Sequence, residues 1–174
     1  MIKESLSKPH KFTDFVNFKY VVDRKGERLT LRTTGKKLPK RIYQLYLPSF
    51  GIFYVGISYT DNSNGIVNRF LAHAQKLTGA FKGAKDTHEF KRFRNLLEAS
   101  GNDLRTILSH VSVYFIPCPK MKTKEIEAWE TIIFNSLKNK GQAICNSAKK
   151  VELMDKETID YILNQKYLND LREE

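Results

Sequence analysis

Two apolar runs rich in aromatic and β-branched residues, Ile42-Tyr43-Gln44-Leu45-Tyr46-Leu47 and Ile52-Phe53-Tyr54-Val55-Gly56-Ile57, are separated by Pro48-Ser49-Phe50-Gly51. Such runs, bounded by turn formers, predict a β-hairpin. His110-Val111-Ser112-Val113-Tyr114-Phe115-Ile116 predicts a further strand, stopped by Pro117 and Pro119. Arg28 to Thr33, with Leu29 and Leu31 alternating against polar neighbours after the turn Asp23 to Gly26, predicts another.

Elsewhere the period lengthens. Ile66, Phe70, Ala74 and Leu77 share one face of a helix predicted from about Ile66 to Leu77, and Arg69, His73 and Lys76 share another. A second helix is predicted over Thr87 to Ala99. Asp86 and Glu89 stand in capping-box spacing, Phe90, Phe93 and Leu97 point inward, and Gly101 ends it. A third runs from Thr123 to about Lys138 with Ile126, Trp129, Ile133 and Leu137 inward, and Asp155 opens a last helix to about Leu171. Ala143-Ile144-Cys145-Asn146 reads as a short buried segment. The order hairpin, helix, helix, strand, helix predicts an α/β (α+β) fold, a small three-stranded antiparallel sheet flanked by helices. The expected division is a basic amino-terminal extension over 1–40, one catalytic domain over 41–150 and an acidic carboxy-terminal helix over 151–174 packed on it.

Charge adds a partner class. The 174 residues carry a net +11, unevenly placed. Residues 1–50 hold 12 Lys/Arg against 4 Asp/Glu, whereas residues 151–174 hold 3 against 7. A basic field of this size favours a polyanion. No apolar run approaches the roughly 20 residues of a membrane span. The start, Met1 to Asn17, lacks the apolar stretch of a secretory signal, which predicts an intracellular, cytoplasmic protein without membrane partners. Cys118 and Cys145 lack metal-knuckle spacing and read as buried free thiols.

Several polar residues sit where packing does not require them. Tyr43 and Tyr54 lie in adjacent hairpin strands, Arg69 and His73 one turn apart on the following helix, Glu130 inside the apolar run Ala128 to Phe134, and Asn146 after a buried segment. In this order the set resembles the GIY-YIG nucleases. Arg41-Ile42-Tyr43 stands for the first motif element and Tyr54-Val55-Gly56 for the second, followed by Arg69, His73, Glu130 and Asn146. The resemblance covers roughly residues 41–147. It departs from the family where Arg41 replaces the first glycine, and the loop between Tyr54 and Arg69 is longer than in compact members. The triplet Gly51-Ile52-Phe53 mimics the first element in the wrong place.

The resemblance implies a metal-dependent DNA endonuclease. Hydrolysing a phosphodiester needs an activated water, a stabiliser for phosphoryl charge and help for the leaving oxygen. Glu130 would hold one divalent ion, Mg²⁺ with Mn²⁺ able to substitute, since one carboxylate plus waters suits that ion. Arg69 would clamp the scissile phosphate through a guanidinium that is always charged. Tyr43 is the implied general base. A free phenol near pKa 10 would have to fall about three units, a preference of roughly 4 kcal/mol for the phenolate. His73 is the alternative base, its ordinary pKa being near neutral. Tyr54 would orient water or phosphate, and Asn146 would scaffold the site. Lys76, His88, Lys91, Arg92 and Arg94, with Lys36 and Lys37 in the basic loop, are expected DNA-backbone contacts.

Only about 28 residues follow Asn146 and the cysteines cannot build a zinc module. A restriction-type or phage-type site-specific enzyme fits best, a homodimer on DNA because one site cuts one strand. The other readings are a structure-specific or single-strand nicking nuclease, and a non-catalytic nucleic-acid-binding module on the same fold.

Overall fold

A computed structural model describes residues 9–35, 41–58, 63–80, 85–117 and 122–146. The strands are β1 (His10–Lys11), β2 (Val16–Asp23), β3 (Gly26–Thr33), β4 (Arg41–Leu47), β5 (Gly51–Ser58) and β6 (Ser112–Pro117). The helices are α1 (Ser63–Thr78), α2 (His88–Ala99), α3 (Ile107–His110) and α4 (Thr123–Asn139), with a 3₁₀ turn at Phe12–Asp14. The expected carboxy-terminal helix and the loop of Lys36 and Lys37 lie outside the described residues.

The class is mixed α and β, with antiparallel sheets. The sheet is larger than the three strands expected: β1, β6, β4 and β5 lie side by side in that order, and β2 and β3 form a separate two-stranded ribbon. A two-residue strand leaves no period to read. His10 and Lys11 pair with Val113 and Ser112, and the His10 ring lies 5.3 Å from that of Phe115. The segment Ile107 to His110, whose last residue was assigned to the strand, is instead a single helical turn that buries Ile107 and Leu108.

Strand alternation splits the core into two layers. Tyr43, Leu45 and Leu47 of β4 and Val113 and Phe115 of β6 face a cluster with Phe70, Ala74 and Leu77 of α1 and Phe90, Phe93 and Leu97 of α2. Ile42, Val55, Ile57 and Ile116 face the opposite way, onto Ile126, Trp129, Ile133 and Phe134 of α4. The amino-terminal segment, read as an extension, adds Phe12, Phe15 and Val16 to the first cluster, all three buried. The Phe15 ring meets Phe70 and Phe115 at 5.2 and 5.7 Å, both edge-on.

The hairpin contains a bulge. Leu45 pairs with Tyr54 and Tyr46 with Ile52, which leaves Phe53 as an extra residue in β5. A bulge breaks the strict alternation of sides. Phe53 and Tyr54, adjacent in sequence, therefore both pack on the α1–α2 side. Among the described residues no helix is long and apolar enough to cross a membrane.

Capping of α2 also differs from the expected box. Thr87, not Asp86, is the N-cap, and its hydroxyl accepts from the Phe90 amide at 3.4 Å. Asp86 holds Arg94 through two hydrogen bonds of 3.0 and 2.6 Å.

If the amino-terminal aromatics are core, Phe15→Ala should destabilise the whole chain by about 3–5 kcal/mol, the usual range for deleting a buried ring. Urea unfolding followed by circular dichroism checks this; an unchanged midpoint would make the segment an appended arm.

Candidate active site

Antiparallel pairing sets Tyr43 of β4 opposite Gly56 of β5. The glycine is required there by space. A Cβ on Gly56 would lie 2.5 Å from the Tyr43 hydroxyl, 2.6 Å from its ring and 2.9 Å from the Tyr54 ring. The two tyrosines stack with centroids 6.1 Å apart. A glycine inside a strand commonly marks such a close approach.

Helix α1 carries the next groups. Its four-residue step puts Arg69 and His73 on the side facing these rings. The His73 Nε2 lies 3.0 Å from the Tyr43 hydroxyl, and its ring is 4.3 Å from Tyr54 and stacked at 5.8 Å on Phe90. Arg69 hydrogen-bonds the Tyr43 hydroxyl and donates to the Ile57 carbonyl of β5. The guanidinium is thus tied to the strand next to the tyrosine it serves, while Arg69 as a whole remains exposed.

Asn146 is a clamp. Its side-chain oxygen accepts from the Val55 amide at 2.9 Å and its nitrogen donates to the Val55 carbonyl at 2.7 Å. The amides of Ala143 and Cys145 donate to the carbonyls of Ile52 and Phe53. This segment lines the outer edge of β5 and fixes the strand that holds Tyr54 and Gly56. Glu130 is buried on α4, 4% exposed among apolar neighbours. Its negative charge raises the pKa of both Tyr43 and Tyr54. Tyr43, Tyr54, Arg69 and His73 are therefore in contact at one place, Glu130 lies within electrostatic range of both tyrosines, and Asn146 braces the β5 strand.

The electrostatics differ from the expected activated phenol. Burial is the main influence on Tyr43, which is 0% exposed, and it pushes the pKa well above the usual 10. Tyr54 raises it further, Arg69 pulls it down without prevailing, and Glu130 raises it again. The phenol is neutral in this state because removing water disfavours its charged form more than one arginine favours it. His73 is driven the other way, down to about 3, by burial first and then by the charges of Lys76 and Arg69. It is a neutral imidazole at any working pH, which weakens it as a general base.

The proton on His73 can be assigned. The ring's Nδ1 is buried without a hydrogen-bond partner. An orphaned buried N–H is rarer than an orphaned acceptor, so the proton belongs on Nε2. His73 then donates to the Tyr43 oxygen, as Arg69 does, and Tyr43 donates to Tyr54. Two donors on one oxygen favour its anion.

The outer basic residues divide. His88, Lys91 and Arg92 are exposed on α2. Lys76 is half-buried, its ammonium 5.4 Å above the Phe90 ring. Arg94, also expected at the DNA backbone, is tied within the protein: its side chain is 11% exposed and bound to Asp86 and the Lys76 carbonyl, joining α2 to the end of α1. Gly56, which the resemblance places in the second motif element without a role, makes the room that the Tyr43 and Tyr54 rings occupy. Burial pushes the Cys145 thiol up, as befits a free, unreactive cysteine.

Among the described residues no three His, Cys, Asp or Glu side chains gather as a metal cage. A single buried carboxylate beside two phenols is a donor set for an ion that keeps most of its waters, as Mg²⁺ does, rather than for zinc. Comparison of the chain with protein-family models, with curated proteins and with solved structures finds no match.

Gly56→Ala should cost about 1–3 kcal/mol, since neither buried ring can move aside, and should disturb the Tyr43 phenol; a thermal midpoint equal to wild type would show that the rings do yield. His73 also gives the fold an acid limb. Its folded pKa lies below the unfolded 6.5, so the unfolded chain takes the proton first, and stability falls as pH drops from 6.5 towards about 3. Urea midpoints at pH 7 and 5 should differ less in His73→Gln than in wild type; equal differences would refute this assignment.

Proposed function

We propose that this chain is a Mg²⁺-dependent DNA endonuclease of GIY-YIG type, a restriction-type or phage-type enzyme cutting at specific sites. The observation that carries the reading is the Tyr43 hydroxyl, buried, held by two donors from Arg69 and His73, and within the field of Glu130. A tyrosine that only filled the core would not need a glycine opposite it, an arginine and a buried histidine on its oxygen. The sequence-order resemblance and the net +11 support the same reading.

The roles follow from the groups. Glu130 would hold the ion, which supplies positive charge to the phosphoryl oxygens when bound. Arg69, fixed by the Ile57 carbonyl, would meet the scissile phosphate. Tyr43 must lose its proton before it can act, and cationic charge offsets the desolvation that keeps it neutral. With its own proton released to solvent, the phenolate would take a proton from a water that enters with the substrate; the water oxygen would bond to phosphorus as the bond to the leaving oxygen breaks, and that oxygen would take a proton from solvent. His73 stays neutral and keeps its Nε2–H on the Tyr43 oxygen, stabilising the anion without competing for the proton. Tyr54 orients the same oxygen. A pair of such sites, in a homodimer, would cut both strands of a duplex.

Plasmid nicking is the direct test. Wild type should cut with Mg²⁺ and not with EDTA, and Glu130→Ala or Arg69→Ala should lower the rate by at least about 10²-fold, the scale for losing one preorganised charge-stabilising group. DNA binding with no metal-dependent cutting would leave a binding module instead. The cutting rate should rise about tenfold per pH unit through neutrality with no inflection near 6.5, because Tyr43 and not His73 loses the proton. A bell centred on a histidine-like pKa would assign the base to His73.

A further inference from the structure

The β2–β3 ribbon has no part in the chemistry above, yet it is the most unusual surface of the molecule. Its two strands pair with each other alone over eight residues, from Val16 with Thr33 to Asp23 with Gly26. One face is anchored: Phe18 and Leu31 pack on the core, and the Arg105 guanidinium lies 4.7 Å from the Tyr20 ring. The strands lie against α1, the helix of Arg69 and His73. The far end stands clear of the core, for Val22 to Arg28 are all exposed and Val22 is 77% so, and the Glu27–Arg105 ion pair ties it. A two-stranded hairpin with little buried apolar surface is marginal alone in water.

Its charge is one-sided. Lys19, Arg28 and Arg32 stand on the face opposite Phe18 and Leu31, and Arg24 and Lys25 form the tip. The acidic groups of the ribbon are Asp23, which holds Arg28 at 3.1 Å, and Glu27, which is paired with Arg105 outside the ribbon. The geometry points to this face as a docking surface for duplex DNA. Lys19, Arg28 and Arg32 lie on phosphates and the tip reaches a groove, beside the strand held by the α1 site. A major groove admits a two-stranded β-ribbon, and successive same-face residues about 6.6 Å apart can follow a phosphate backbone. Choosing DNA as the partner rests on the nuclease reading, and the ribbon extends it by naming the element that holds the duplex. Lysine and arginine on free edge strands also discourage edge-to-edge aggregation. That role alone would leave DNA affinity unmoved.

The test is fluorescence anisotropy with a labelled random-sequence duplex in EDTA, titrated with salt. It compares wild type, the triple variant Lys19→Ala/Arg28→Ala/Arg32→Ala, and the charge-keeping Arg28→Lys/Arg32→Lys. The triple variant should bind more weakly, and its salt slope should fall by about three, one per lost phosphate contact. The charge-keeping variant should retain both. Circular dichroism guards against unfolding. An unchanged slope overturns the proposal, and so does an equal loss on a single-stranded oligonucleotide, which would indicate a general polyanion surface. Plasmid nicking by wild type separates the two readings. Nicking with an unchanged slope sinks the ribbon alone, and a reduced slope without nicking sinks the nuclease alone.

Discussion

The depth at which the Tyr43 hydroxyl is buried governs the rest of this molecule. A phenol with no access to water must find its partners within the protein, and each surrounding element is placed to provide one. Gly56 leaves the room, α1 brings a histidine and an arginine one turn apart, and Tyr54 accepts the hydrogen bond that Tyr43 donates. The pairing of β4 with β5 cannot slip by one residue without turning Tyr43 to the α4 side, where Ile42 now lies.

The same burial sets the chemical state of the site. Tyr43 and His73 are both neutral for one reason, the loss of water, although the shift runs up for the acid and down for the base. In the proposed enzyme this is a safeguard: the base is formed only when positive charge is brought to it. Arg69 sits between the two regimes, exposed yet tied to the Ile57 carbonyl and the Tyr43 oxygen. A guanidinium suits that position because its charge survives any desolvation that binding imposes.

Legibility in the sequence followed periodicity. The hairpin, three helices and β6 are readable because long apolar periods announce themselves, and the candidate-site residues stand out as polar groups within them. What stayed hidden depended on contacts between distant segments. His10 and Lys11 become a strand only because β6 offers an edge. Phe12 and Phe15 look like isolated aromatics in a basic stretch until Phe70 and Phe115 meet them. Val16 to Asp23 breaks its own alternation at Val21-Val22, so the ribbon partner of Gly26–Thr33 did not stand out. The tie between Arg94 and Asp86, eight residues earlier, does not show in the sequence, where Asp86 reads as part of a cap. The upward push of burial on the Tyr43 phenol is hidden in the sequence because desolvation is a property of the folded environment and leaves no mark on a list of charged neighbours.

The extra residue at Phe53 has a consequence for how this sequence can change over generations. Because it sets Phe53 and Tyr54 on the same side, Phe53 stacks on Phe93 at 4.9 Å while Tyr54 serves the site. Loss of one residue between positions 48 and 53 would restore regular alternation and force one of those rings to swap sides. Length drift in the hairpin is therefore barred at its turn, even though turns are usually where insertions and deletions accumulate.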